Sequence, residues 1–190
     1  MKVITTAIPG ALIIEPKVWG DERGFFMETY RGDRYAQFGM PASLPQDNLS
    51  FSRRGVLRGL HCQHPHAQGK LVQVFAGEVY DVAVDVRRGS LTFGRWVAVT
   101  LSAANQRQFW VPAGFAHGFL VTSETALFGY KCSDYYHPET EFSVRWDDPA
   151  IGIDWPLTGQ SAPELSQKDQ AAPRLSDIPV ERLPAIEDYP

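Results

Sequence analysis

Two cysteines in 190 residues, Cys62 and Cys132, are too few for a disulfide framework. Both sit in apolar or mixed runs and read as free thiols of a reduced compartment. No apolar stretch approaches the roughly 18 residues that span a bilayer. The first ten residues, MKVITTAIPG, lack the long apolar core of a secretory signal. A soluble, cytoplasmic protein with no membrane partner is expected. Positive charge is in deficit, with 18 Lys and Arg against 22 Asp and Glu and a net charge of -4. No broad basic field therefore draws in nucleic acid, and an anionic ligand must be met by a local cluster. Repeats and low-complexity tracts are missing, and no composition shift marks a domain boundary. The 44% hydrophobic and 21% charged residues are those of an ordinary globular chain, so one domain over 1–190 is expected.

Helical periodicity is scarce between Gly55 and Trp146. In its place stand short strand-like runs: LVQVFA (71–76), VYDVAVDV (79–86), FGRWVAVTL (93–101), RQFWVP (107–112), HGFLV (117–121) and ALFGYKC (126–132). Gly, Asn and Ser at the breaks supply turn geometry, and the spacing is that of a sandwich or barrel. In VYDVAVDV, alternation sets Tyr80, Val82, Val84 and Val86 on one face and Val79, Asp81, Ala83 and Asp85 on the other. The second face is either wet or lines a polar site. Residues 21–30 (DERGFFMETY) read as a strand, and 31–39 (RGDRYAQFG) as a short helix ended by Gly39. The proline-rich segment 155–190 reads as extended pieces and short helices packed on the barrel, with a helical hint at LSQKDQAA.

The string RGLHCQHPHAQGK (58–70) holds three histidines and raises the question of a metal. Metal-binding cupins carry G-x5-H-x-H-x(3,4)-E-x6-G followed by G-x5-P-x-G-x2-H. Pro112, Gly114 and His117 reproduce the end of the second pattern. In the first, Gly55 stands correctly before His61 and Lys70 correctly before Gly77. The ligands themselves depart from it, because Gln63 takes the place of a histidine and Lys70 that of the carboxylate. An ammonium has no lone pair and repels a divalent cation. No metal is expected, and His64 and His66, flanking Pro65, read as solvated loop imidazoles. The landmarks point to a mainly β fold, a double-stranded β-helix (jelly-roll, cupin-like) barrel with short peripheral helices.

Without a metal, His61, Lys70 and Tyr130 on neighbouring strands, with Arg58 and His117 nearby, suit proton abstraction beside a carbonyl. A histidine is the natural base near neutral pH, a cation steadies the enolate oxygen, and an acid on the opposite face returns a proton. Singly, these residues would as readily be a satisfied strand histidine, an exposed strand end and an interior aromatic.

The strings DERGFFMETY, QDNLSFSRRGVLRGLHCQ, GKLVQVFAGEVYDVAVDVRRGSLTFGRW, FWVPAGFAHGFLV, YKCSDYYHPETE, VRWDDPAIGIDWP and LSQKD are more specific. Together, over roughly residues 3–175, they resemble the dTDP-4-dehydrorhamnose 3,5-epimerase family. The resemblance implies a cofactor-free isomerase that inverts C3 and C5 of dTDP-4-dehydro-6-deoxy-D-glucose in dTDP-L-rhamnose biosynthesis. It implies His61 as base with Asp169 as its partner, Lys70 at the enolate oxygen with Arg58 flanking it, and Tyr130 as acid. Gln46 and Asn48 of QDN, Tyr135 stacked on thymine, His117 near the sugar, Glu28 and Lys168 would bind substrate. Arg23 and Phe26 would reach in from a second subunit, giving a homodimer with shared active sites. A 3-only or 5-only epimerase, a related ketoisomerase, a metal-dependent cupin enzyme and a non-catalytic nucleotide-sugar-binding barrel remain as alternatives.

Overall fold

Alternating apolar positions become paired strands in the computed structural model, which describes residues 1–157, 159 and 162–189. Thirteen strands occur among the described residues. In chain order they are β1 (Lys2–Thr5), β2 (Leu12–Glu15), β3 (Val18–Asp21), β4 (Gly24–Met27), β5 (Gln46–Arg53), β6 (Leu57–Gln63) and β7 (Lys70–Ala76), then β8 (Glu78–Asp85), β9 (Trp96–Ser102), β10 (Gln108–Val111), β11 (Phe115–Val121), β12 (Thr125–Cys132) and β13 (Glu141–Ser143). A six-stranded sheet, β1-β2-β10-β7-β12-β5, faces a five-stranded sheet, β13-β6-β11-β8-β9, and β3-β4 form a separate hairpin. The two large sheets close on each other as a jelly-roll barrel. Among the described residues no helix is long and apolar enough to cross a membrane.

The core fills the space between the sheets. Phe109 and Phe128 are fully buried there, and Phe119 of one sheet stacks on Phe128 of the other with ring centroids 4.1 Å apart. Burying each such ring contributes about 1.5–3 kcal/mol. On β8 the face carrying Val79, Asp81 and Ala83 points into the barrel, while Val82, Val84 and Val86 pack outward under Trp155, Leu175, Ile178 and Leu183 of the C-terminal segment. Both faces of the strand are covered. The carboxylate face is not wet: Asp81 and Asp85 have no exposure. Asp85 is held by the Arg87 guanidinium at 3.0 Å, with Ser90 and Thr92 as further donors. Asp81 is bonded to His117.

The single strand expected across 21–30 is instead a hairpin whose first strand begins at Val18. The Asp21 carboxylate accepts the Arg23 backbone N–H at 2.9 Å, and Gly24 adopts φ +129°, so the chain reverses where the strand was to continue. The helix expected at 31–39 forms as α1 (Gly32–Tyr35) and one 3-10 turn, Ala36–Phe38, closed by Gly39 at φ 82°. The LSQKDQAA segment yields α2 (Gln167–Gln170), whose Ser166 hydroxyl accepts the Asp169 N–H at 3.1 Å.

Candidate active site

Two adjoining cavities of about 360 and 470 Å³ share His61, Lys70, Tyr130 and Lys168 in their walls and form one cleft. His61 lies on β6 directly opposite His117 on β11. Gly59, two residues before His61, has φ +125°, and a Cβ there would lie 2.6 Å from the Gly118 Cα. Only glycine allows β6 and β11 to approach this closely, which explains the glycine in RGLH.

Asp169 reaches His61 from α2, with Oδ1 2.6 Å from Nε2. The segment before α2 is pinned to the start of β6 by Leu57 N–H to Glu164 O (3.0 Å) and Glu164 N–H to Gly55 O (2.7 Å). Asp169 is 4% exposed. Burial alone would push its carboxyl up. The bond from His61, with those from Ser166 and the Gly59 backbone, outweighs burial and holds it below the usual carboxylate range. An ionised carboxylate only accepts, so Nε2 carries the proton and the Nδ1 lone pair of His61 is the basic one.

A second buried pair, His117 on β11 and Asp81 on β8, lies beside the first in the same sheet, with Nε2 2.9 and 3.1 Å from the two carboxylate oxygens. Burial pushes Asp81 up against the pull of His117 and Lys70. Lys70 begins β7 and lines both cavities, and its charge also reaches the neutral thiols Cys62 and Cys132. Both cysteines are free, as expected, and buried, and burial lifts the Cys62 thiol to about 12. Tyr130, on β12 of the opposite sheet, faces the cleft from the side away from His61. Burial raises its pKa, so it remains a phenol at neutral pH. Arg58 donates to the Ser52 hydroxyl at 3.1 Å along the same wall.

At the other end of the cleft stand Gln46, Asn48, Tyr136, Glu141 and Lys168. Of the two tyrosines in DYY, Tyr136 lines the cavity, whereas Tyr135 is exposed and lines neither cavity. Glu141 was not selected from the sequence. It bonds the Lys168 ammonium and accepts from the Tyr136 hydroxyl at 2.9 Å. Burial raises its carboxyl, but Lys168 and His61 draw it below its ordinary value. Nothing local distinguishes it from Glu139; only its place at the edge of β6 does.

Besides Tyr135, three further residues expected at the site lie away from this chain's cleft. Arg23 and Phe26 sit on the β3-β4 hairpin, with Arg23 paired to Asp21 and Phe26 70% exposed beside Trp19. Glu28 follows the hairpin and pairs with Arg34 at 2.8 Å. The solvated-loop reading of His64 and His66 holds only for His66, which is exposed. His64 is half-buried edge-on to Tyr189 at 5.9 Å, because the C-terminal segment returns over the loop, and burial lowers its pKa. Among the described residues no three His, Cys, Asp or Glu side chains converge as metal ligands.

Comparisons with known proteins identify the family. Residues 5–177 match the family model described as dTDP-4-dehydrorhamnose 3,5-epimerase. A protein of that name from Salmonella typhimurium is 56% identical over 92% of this chain and 96% of its own length. Another, from Pseudomonas aeruginosa, is 55% identical over 93% and 97%. The crystal structure of a dTDP-6-deoxy-D-glucose-3,5-epimerase from Legionella pneumophila in complex with dTDP-4-keto-L-rhamnose superimposes with a TM-score of 0.93 at 56% identity, covering 97% of each chain. On its sequence and its fold, this chain belongs to the dTDP-4-dehydrorhamnose 3,5-epimerase family.

Proposed function

We propose that the chain converts dTDP-4-dehydro-6-deoxy-D-glucose to dTDP-4-dehydro-L-rhamnose by inverting C3 and C5, as a step of dTDP-L-rhamnose biosynthesis in the cytoplasm. The observation that carries this reading is the His61–Asp169 pair facing Tyr130 across one cleft, with Lys70 lining it. A C–H bond beside the C4 ketone breaks, its proton passes to His61 Nδ1, and its electron pair moves onto the C4 oxygen as an enolate. Asp169 stabilises the resulting imidazolium. The Lys70 ammonium steadies the enolate oxygen. Tyr130 then protonates the same carbon from the opposite face, inverting it, and exchange with water resets both side chains before the second centre reacts. His117, fixed by Asp81, and Arg58 stand beside the sugar. The nucleotide end is assigned to Gln46, Asn48, Glu141 and Lys168 with the tyrosines of DYY.

Incubation with the substrate in D₂O, reading label at C3 and C5 by NMR, tests this assignment. Label at both carbons is expected, and label at one only would restrict the chain to a single centre. In Tyr130→Phe, exchange is expected to outlast product formation, because abstraction persists while delivery to the opposite face is lost. Unchanged turnover would remove Tyr130 from the mechanism.

A homodimer accounts for the hairpin. Trp19, Phe25 and Phe26 are 46%, 64% and 70% exposed there, and Leu49, Phe51 and Phe75 face outward from β5 and β7. Such apolar patches mark interaction surfaces. An isologous dimer would let Arg23, a fixed cation suited to a diphosphate, and Phe26 complete the partner's cleft. Mixing inactive Arg23→Ala and His61→Ala chains, after dissociation and reassociation, is then expected to restore roughly a quarter of wild-type activity, because each heterodimer holds one intact site. No recovery would sink the shared-site arrangement.

A further inference from the structure

Three glutamine side chains hold one loop. Residues 133–137, Ser-Asp-Tyr-Tyr-His, leave β12 and border the nucleotide end of the cleft. Gln68 Nε2 donates to Asp134 O at 2.8 Å, and Gln46 Oε1 accepts the Tyr136 N–H at 2.8 Å. Gln63 contributes most. Its Oε1 accepts the His137 N–H at 2.9 Å, while its Nε2 donates to Tyr135 O at 3.1 Å and to His66 O. Two carbonyls and one N–H around one amide permit a single orientation of that amide. The His66 and His137 rings stack at 4.4 Å across the same junction. Gln63 is 4% exposed, yet Tyr135 and Tyr136, on the loop it holds, are 59% and 50% exposed. Apolar burial therefore does little to fix those tyrosines, and the side-chain amides do so instead.

We propose that Gln63 is a positioning residue for the nucleotide. It presets the backbone carrying Tyr135 and Tyr136, and so governs nucleotide affinity without taking part in the proton transfer at His61, two residues away on the same strand. The inference rests on reading this end of the cleft as the dTDP site. A preset loop lowers the ordering cost of binding, so its loss appears in affinity. Where a metal-binding cupin would place a histidine, this chain has an amide fully engaged with backbone.

The test uses the full chain with dTDP as probe. Gln63→Glu keeps the acceptor for the His137 N–H but turns a lone pair toward the Tyr135 and His66 carbonyls. Its Kd for dTDP by calorimetry, and its KM for the dTDP-sugar, are expected to rise about ten- to a hundredfold. Its kcat should stay within about threefold of wild type, with label still entering at C3 and C5. A fall in kcat at unchanged dTDP affinity, or no change in either, would overturn the proposal. If that variant does not fold, Gln68→Met releases the loop at Asp134 alone and is expected to weaken dTDP about three- to tenfold. Unchanged affinity there would equally overturn it. A wild-type chain that binds no dTDP would instead overturn the nucleotide reading on which the inference rests.

Discussion

His61→Ala is expected to abolish deuterium incorporation at both C3 and C5 and to lower turnover by ~10²–10⁴. One base serves both carbons, because both flank the same ketone and His61 is the imidazole that lines both parts of the cleft. His117, the other imidazole in the wall, is bonded through Nε2 to both oxygens of fully buried Asp81 and lines only one of the two cavities. The sign of the Asp169 shift matters here. Held below its ordinary range, Asp169 is ionised at neutral pH, so it stabilises the imidazolium through the whole step. Label at either carbon at near-normal rate in His61→Ala would remove the base assignment.

Lys70→Ala is expected to lose ~10²–10³ in kcat, the usual cost of removing one donor to a developing oxyanion. The loss should fall on kcat more than on dTDP affinity, since negative charge on the C4 oxygen grows only as the proton leaves. Lys70→Arg should not recover the loss, because a planar guanidinium cannot stand as a compact point charge in the wall that Lys70 shares with His61 and Tyr130. Equal losses in kcat and in dTDP binding would move Lys70 from the enolate to the diphosphate. These two variants, with Gln63→Glu, divide the cleft into a chemical end and a nucleotide end, each with its own kinetic signature.

Local pattern carried most of the barrel. LVQVFA, VYDVAVDV, RQFWVP and ALFGYKC each became a strand within about two residues of the expected bounds, because a period of two is written into neighbouring side chains. RGDRYAQFG and LSQKDQAA became short helices, since capping by Gly39 and Ser166 is equally local. The string RGLH, with Lys70 in the place of a metal-binding carboxylate, pointed to enolate chemistry by residue type alone.

Where partners lie far apart in the chain, only the folded structure decided. His61 and Asp169 are separated by 108 positions and meet because α2 is laid across the start of β6. The strand expected over 21–30 turned back on itself through one carboxylate and one glycine, and its Arg23 and Phe26 point away from this chain's own cleft. The acidic face of β8 proved dry because His117 and Arg87 stand opposite it. Glu141 and Gln68 carried no local signal, and Gln63 only that of a missing metal ligand, since a carboxylate or an amide becomes a ligand, a strut or a solvated side chain according to what faces it. Periodicity is a property of neighbours along the chain and is legible there. The role of a polar side chain is a property of neighbours in space, and only the packing of the two sheets and the C-terminal segment supplied them.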